Sequence, residues 1–246
     1  MESPIELSLV IPVYNGSAFL SEKISVFLTW LRGGTGRELV VVDDGSVDTT
    51  AALLETIRLE PRCRIIRQDH NCGKGAALRT GLAAATGTYV GFTDADLPYG
   101  LPVLDGMLEI LKNNVRLGIV YGSRSHRESS GLKNYGWLRT AGRYFFSFII
   151  RWGVSTDVVD SQCGIKMFSR VFAQEIIRRA RIDRFAADVE LFAIAKVLGY
   201  EYCDFGVTLT HRRESSVRLF KDTVLMLKDI VRIRYRVKHG RYNDKT

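Results

Sequence analysis

The sequence is poor in residues that staple, chelate or span. It has four cysteines in 246 residues, Cys63, Cys72, Cys163 and Cys203, with no CxxC and no histidine at zinc spacing. This argues against a disulfide scaffold or structural zinc, and for a reducing cytosolic setting with free thiols. His70, His126, His211 and His239 are isolated, so none anchors a catalytic or metal cluster. The longest apolar cluster, Phe145-Phe146-Ser147-Phe148-Ile149-Ile150, falls far short of the roughly 20 residues of a membrane span. The opening Met1-Glu2-Ser3-Pro4-Ile5-Glu6 is polar and lacks a secretory core. Repeats, low-complexity linkers and the GxxxxGK[ST] spacing of a P-loop are also absent.

Hydrophobic residues make up 46% of the chain, enough for a sizeable core and against disorder. The net charge of +8 is unevenly placed. Residues 212–246 hold eleven Lys/Arg against four Asp/Glu, and residues 124–153 hold six against one. An excess confined to two segments points to a polyanionic partner such as lipid headgroups, phosphates or nucleic acid. For the last ten residues, a plain solubilising bias is an equal reading.

The apolar pattern alternates between strand and helix. Strands are expected at 7–13, 38–43, 64–67, 88–93 and 118–122, with helices at 17–32, 48–59, 74–86 and 101–113 between them. The near-continuous apolar run Leu39-Val40-Val41-Val42 suits a parallel strand buried on both faces. Five such units predict an α/β fold with a doubly wound, mostly parallel sheet flanked by helices, whose ligands bind beyond the C-terminal strand ends. After Gly122 the pattern changes. An aromatic segment with spaced arginines at 135–152 precedes a loop or strand pair at 157–168, helices at 170–181 and 188–198, a strand at 201–208 and a basic helix at 217–238.

Polar residues gather at the predicted strand ends. Asp94-Ala95-Asp96 closes the run Thr88-Tyr89-Val90-Gly91-Phe92-Thr93. On an extended chain, two carboxylates at i and i+2 point the same way and repel unless a cation or donors neutralise them. A hard divalent ion that takes one or two carboxylates plus substrate phosphates would do so. Pro12-Val13-Tyr14-Asn15 ends the first strand and Asp43-Asp44-Gly45-Ser46 the second. Asp44 is suited to accept from a ribose or base and Tyr14 to stack, although a turn and helix cap would also explain Asp44-Gly45-Ser46. Asn71-Cys72-Gly73-Lys74-Gly75 opens a helix. There, backbone N–H groups and the Lys74 charge suit an anion.

In this order, PVYN, VVDDGS, NCGKGAALRTG and TDADLP, the chain resembles the family 2 glycosyltransferases of the GT-A fold. Gly122-Ser123-Arg124, the Trp137/Arg139 helix, DSQCGIKMF and FAADVEL resemble one branch, the polyprenyl-phosphate sugar synthases. Within it the dolichyl-phosphate glucosyltransferases are most alike and the mannose synthases next. The likeness covers about residues 7–235. It implies that Pro12, Tyr14, Asn15, Asp44 and Lys74 line a nucleotide-sugar pocket, with Asp188 near the sugar. It also implies that Asp94 and Asp96 hold Mg²⁺ or Mn²⁺ and the diphosphate. Gly16 stands where the family usually has Glu, and Leu97-Pro98 where mannose synthases tend to place a polar residue.

Arg139 and Arg143, spaced i,i+4, share a helix face beside Tyr144, Phe145, Phe146, Phe148 and Trp152. With Arg124 they suit a prenyl-phosphate acceptor, against the alternative of a core helix with snorkelling arginines. Asp160 is the candidate for orienting the acceptor, and Lys166 for binding its phosphate. Asp188 and Glu190 also fit a surface helix start with acids complementing the dipole. On the last helix, Arg218, Lys221, Lys228, Arg232 and Arg236 form one stripe, and Val217, Phe220, Val224, Leu227 and Val231 another. This reads either as membrane-surface binding or as packing on the domain.

The expected organisation is a glycosyltransferase domain at 1–211, split into a nucleotide-sugar half at 1–123 and an acceptor half at 124–211, with a basic amphipathic tail at 212–246. The expected activity is inverting, metal-dependent transfer of a hexose, with UDP-glucose as favoured donor, to a polyprenyl phosphate at the cytosolic membrane face. A soluble or protein-linked acceptor, or GDP-mannose as donor, is the alternative. Nucleic acid is not expected as a partner, because it would leave the acidic strand ends unexplained. A homo-oligomer or a separate membrane partner stays open.

Overall fold

In a computed structural model, which describes residues 4–124, 157–158, 160–210 and 219–243, the chain forms a seven-stranded sheet. The strands are β1 (Leu7–Val13), β2 (Arg37–Asp43), β3 (Cys63–Arg67), β4 (Tyr89–Thr93), β5 (Leu117–Ser123), β6 (Ile165–Ser169) and β7 (Glu201–Gly206). The helices are α1 (Ser17–Arg32), α2 (Thr50–Glu55), α3 (Lys74–Ala84), α4 (Val103–Asn113), α5 (Arg170–Arg179), α6 (Ala187–Leu198) and α7 (Leu219–Lys238). The strand order is β3-β2-β1-β4-β6-β5-β7. All strands run parallel except β6, which pairs antiparallel with both β4 and β5.

The antiparallel insertion matters for position. The parallel strands end on one edge, and β6 begins there, with Thr93 opposite Ile165. One rim therefore collects the segments after β1, β2, β4 and β5 and the loop that feeds β6. The sheet is covered on both faces. One apolar layer joins Val10, Val40, Val42, Phe92 and Phe168 to α3, α5 and α6. The other joins Leu9, Ile11, Val41 and Val120 to α1 and α4. This sandwich is why the inner strands read as unbroken apolar runs.

Some boundaries differ from expectation. The helix expected at 48–59 is regular only over Thr50–Glu55, and hydrogen-bonded turns carry the chain from there to Glu60. β4 stops at Thr93, so Asp94-Ala95-Asp96 forms a turn, with Leu97 N–H donating to the Asp94 carbonyl at 3.0 Å. The two carboxylates therefore leave a turn, and strand alternation does not direct them. α7 packs on the body through Ile230 and Ile233, with Met226 and Val237 partly buried. Val224 and Val231, of the apolar stripe read either for a membrane surface or for packing, stay exposed, at 43% and 61%. Among the described residues, no helix is long and apolar enough to cross a membrane.

Candidate functional site

At the rim, the ends of β1 and β2 are locked together. Asn15 adopts a left-handed φ of 47°. Its N–H donates to Ser46 Oγ at 2.9 Å, and its Oδ1 accepts from Val47 N–H at 3.0 Å. Pro12 lies opposite Val42, and Tyr14 stands 46% exposed beyond the strand. The Asp44 carboxylate is buried and accepts from Cys72 N–H at 2.7 Å and Gly73 N–H at 2.9 Å. Burial raises its pKa against those two donors. Asp44 thus builds the glycine turn.

The turn's backbone does not serve an anion as expected. Besides the two N–H groups given to Asp44, Gly75 N–H donates to the Asp183 carbonyl at 2.7 Å, and Ala76 N–H to the same oxygen at 3.3 Å. Gly73 has φ of 102°, and a Cβ there would collide with the Asp183 carbonyl oxygen. The glycines let the loop before α6 pack on the helix start, and that loop and Asp44 take two donors each. The Lys74 side chain is left as the turn's charge.

Lys74 sits at the centre of the site. Its Nζ lies 2.9 Å from Asp94 Oδ1 and 3.3 Å from Asp188 Oδ2. Lys166, fully buried on β6, donates to Asp188 Oδ1 at 2.7 Å and to the Cys163 carbonyl at 2.7 Å. Both ammonium groups lie over the Phe92 ring, 5.1 and 5.2 Å from its centroid, a favourable cation–π placement. Burial alone would lower the Lys74 pKa, but the Asp188 and Asp94 carboxylates hold it above its usual range. Burial likewise opposes ionisation of Asp188, which Lys166 and Lys74 keep below the usual carboxylate range. Lys166, expected on an acceptor phosphate, is instead enclosed and committed to Asp188. Its position amid apolar Ile165, Met167 and Phe168 on an inner strand is the sequence signal that could have shown this.

Asp94 Oδ1 meets Lys74, and its backbone N–H donates to the Gly164 carbonyl at 3.0 Å. A Cβ on Gly164 would collide with Asp94 Oδ2, so this glycine leaves room for the carboxylate. Asp96 is partly buried two residues on. Among the described residues, no group of three or more His, Cys, Asp or Glu is placed to hold an ion. The chain therefore offers the oxygens of Asp94, which already attract an ammonium, and those of Asp96 two residues on. That fits a hard ion completing its shell with water and phosphate, and does not fit a closed zinc site.

Beyond the end of β5, Arg124 and Asp160 bind each other. Nε and Nη2 of Arg124 donate to Asp160 at 2.8 and 2.6 Å, and Arg124 N–H adds a third bond at 3.0 Å. Burial opposes the Asp160 charge, but Arg124 holds its pKa below the usual range. Tyr99 and Cys163 complete this corner, and burial pushes the Cys163 thiol up to about 11. The expectation of Asp160 as a free orienting group is thereby changed: its carboxylate is occupied by the neighbouring guanidinium. Arg139 and Arg143 lie outside the described residues.

Asp188 and Glu190 are both buried, which removes the surface-helix reading. Glu190 accepts from Arg181 N–H at 2.9 Å, Ile182 N–H at 2.8 Å and Tyr242 Oη at 2.7 Å. Sequence reasoning missed this carboxylate's structural use, and an acid amid Val189 and Leu191 on a strongly apolar helix was the available sign.

Comparisons with known proteins identify the family. The model of "Glycosyl transferase family 2" matches residues 8–177. A dolichyl-phosphate beta-glucosyltransferase of Dictyostelium discoideum is 33% identical, covering 98% of this chain and 78% of that protein. The Homo sapiens protein of the same name is 29% identical over 96% and 76%. Glucosyl-3-phosphoglycerate synthase from Mycobacterium tuberculosis, solved with uridine diphosphate, superposes with a TM-score of 0.69 at 18% identity, covering 98% of this chain and 82% of that one. The latter likeness supports the GT-A fold alone. With a family match over most of its length and the four strand-end motifs on one rim, the chain belongs to glycosyl transferase family 2.

Proposed function

We propose that the protein transfers glucose from UDP-glucose to a polyprenyl phosphate of the dolichyl type, with inversion at the anomeric carbon. The observation that carries the donor half is the meeting of Asp94 and Lys74 at the rim, a carboxylate and an ammonium 2.9 Å apart where a diphosphate would lie. The relatives named for dolichyl phosphate support the acceptor half.

In the reaction, an acceptor phosphate oxygen attacks the anomeric carbon from the face opposite the leaving group. The bond to the diphosphate oxygen breaks, and UDP departs with that electron pair. The second pKa of a phosphate monoester is about 6, so the acceptor is already largely dianionic and needs no strong base. Positioning then dominates. Lys74 supplies charge to the diphosphate, and the Arg124–Asp160 pair fixes the loop leading to Gly164. Arg139 and Arg143 are assigned to the acceptor phosphate. Mg²⁺ or Mn²⁺ held by Asp94 and Asp96, when bound, supplies positive charge for the leaving diphosphate.

The protein is further assigned to the cytosolic face of a membrane as a peripheral enzyme. The exposed side of α7 supports this, since Val224, Val231 and Tyr235 alternate there with Lys228, Arg232 and Lys238. The test is a donor screen of the purified protein with phytanyl phosphate, UDP- and GDP-sugars, and added Mg²⁺ or Mn²⁺. Metal-dependent glucosyl transfer from UDP-glucose is expected, and Asp96→Asn should lower it by at least about a hundredfold. Preference for GDP-mannose, or for a soluble acceptor, would overturn the assignment.

A further inference from the structure

Lys74 and a divalent ion need the same oxygen. Its ammonium lies 2.9 Å from Asp94 Oδ1, one of the two carboxylates that fit a metal. It is steered there by Asp188 at 3.3 Å, while Lys166 occupies the other Asp188 oxygen at 2.7 Å. Within this group of four, two carboxylates balance two ammonium groups. Adding a divalent ion alone, with Asp96 as its second carboxylate, would set a total charge of +4 on three positive centres against three carboxylates, and like charges at that range repel strongly. A diphosphate removes the conflict. It offers new oxygens to the Lys74 ammonium, a flexible point charge on a long stem, and further oxygens to the ion. Backbone N–H groups offer little competition for the diphosphate, because those of Cys72, Gly73, Gly75 and Ala76 already donate to Asp44 and Asp183.

We propose that Lys74 is a placeholder cation: it neutralises Asp94 until a nucleoside diphosphate arrives, then passes to the phosphates and yields the carboxylate to the metal. Lys74 thereby makes metal and nucleotide bind as a linked pair, and it discourages the metal from binding alone. This rests on the donor half of the proposed function. Linkage is reciprocal, so each ligand must strengthen the other by the same factor.

The test measures Mn²⁺ binding by electron paramagnetic resonance with and without UDP, and UDP binding by calorimetry with and without Mn²⁺. Wild type is compared with Lys74→Met and Lys74→Arg. Wild type should bind Mn²⁺ at least about tenfold more tightly with UDP present, and UDP more tightly with Mn²⁺ by the same factor. Lys74→Met should bind Mn²⁺ alone about tenfold more tightly than wild type, bind UDP alone less tightly, and lose most of the linkage. Lys74→Arg keeps the charge and should keep most of the linkage. A role in folding alone would not strengthen metal binding.

Equal Mn²⁺ affinity of wild type with and without UDP would overturn the proposal, whether or not the methionine variant folds. So would a folded Lys74→Met protein that binds Mn²⁺ alone no better than wild type. Linked binding that Lys74→Met abolishes would uphold it even if no glucose reaches phytanyl phosphate, in which case only the acceptor assignment fails.

Discussion

At the scale of single residues, what a position lacks can matter as much as what it carries. Gly164 is the example, since any side chain there would run into the Asp94 carboxylate at its Cβ. Gly164→Ala should therefore push Asp94 out of place, lowering glucosyl transfer by about tenfold or more, as misplacement by an ångström does, while circular dichroism stays unchanged. Wild-type turnover in the alanine variant would show that Asp94 tolerates the shift. Arg124 makes a second case. Its pair with Asp160 leaves the arginine 31% exposed and the carboxylate 7% exposed, between an exposed pair and an enclosed one. Arg124→Met should cost about 2 kcal/mol near neutral pH, between the ~1 of surface pairs and the ~3–5 of broken buried ones. Asp160 has its folded pKa lowered, so the stabilisation is present above the unfolded value of about 3.9 and is lost as pH falls through the folded one. The gap in unfolding temperature between wild type and variant should thus close on acidification, and a gap unchanged down to strong acid would refute the pairing. The residue types of this site were legible in the sequence, but their partners were not. Arg124 with Asp160, and Lys166 with Asp188, are 36 and 22 residues apart, and only the rim of the sheet brings them together.

At the scale of elements, the apolar periods located the strands and most helices because each inner strand is covered on both faces. Two things escaped them. The direction of β6 depends on the chain between β5 and β6 and not on any local pattern, so one antiparallel strand inside a parallel sheet could not be read from apolar runs. Which side of α7 is buried was also left open. The helix has apolar residues on more than one side, and the turn at its C-terminal end selects Ile230 and Ile233 over Val224 and Val231. In that turn Tyr242 is fully buried, its Oη donating to Glu190 at 2.7 Å and its carbonyl accepting from Arg179 Nε at 2.7 Å. Arg236 lies over the Tyr242 ring, 5.0 Å from its centroid. This anchor sets the rotation of the helix. Tyr242→Phe keeps the ring and removes one hydrogen bond to a carboxyl acceptor, worth about 1.5–3 kcal/mol, so unfolding should begin about 3–12 °C lower for a chain of this size. Hydrogen exchange should quicken first in α7 and in the 180–186 loop that Glu190 holds. Uniform quickening through the sheet would count against a local anchor.

At the scale of the whole molecule, the proposed donor site and the basic excess belong to different parts of the chain. The rim around Lys74 and Asp94 is built by the first four strands and closed by Asp188, whereas residues 212–246 carry eleven Lys/Arg against four Asp/Glu. The orientation of α7 decides what that excess can do. Since Ile230 and Ile233 face the body, the side bearing Val224, Val231 and Tyr235, the last 55% exposed, is presented outward among basic residues. An outward apolar strip bordered by Lys and Arg is how an interfacial helix meets an anionic leaflet, each basic residue adding about 1 kcal/mol near the surface and less as salt rises. A double substitution, Val231→Ser with Tyr235→Ser, alters exposed positions alone and should leave folding and UDP binding intact. Flotation with phosphatidylserine vesicles should fall several-fold at low salt, the remainder being the electrostatic part that added salt removes. Charge reversal at Lys228 and Arg232 should do the opposite, weakening the salt-sensitive part and leaving the apolar contribution. If both variants float as wild type does, α7 does not face the lipid, and the basic tail must serve a different polyanion. Retention of the doubly substituted protein at low salt, with full release by salt, would assign the binding to charge alone.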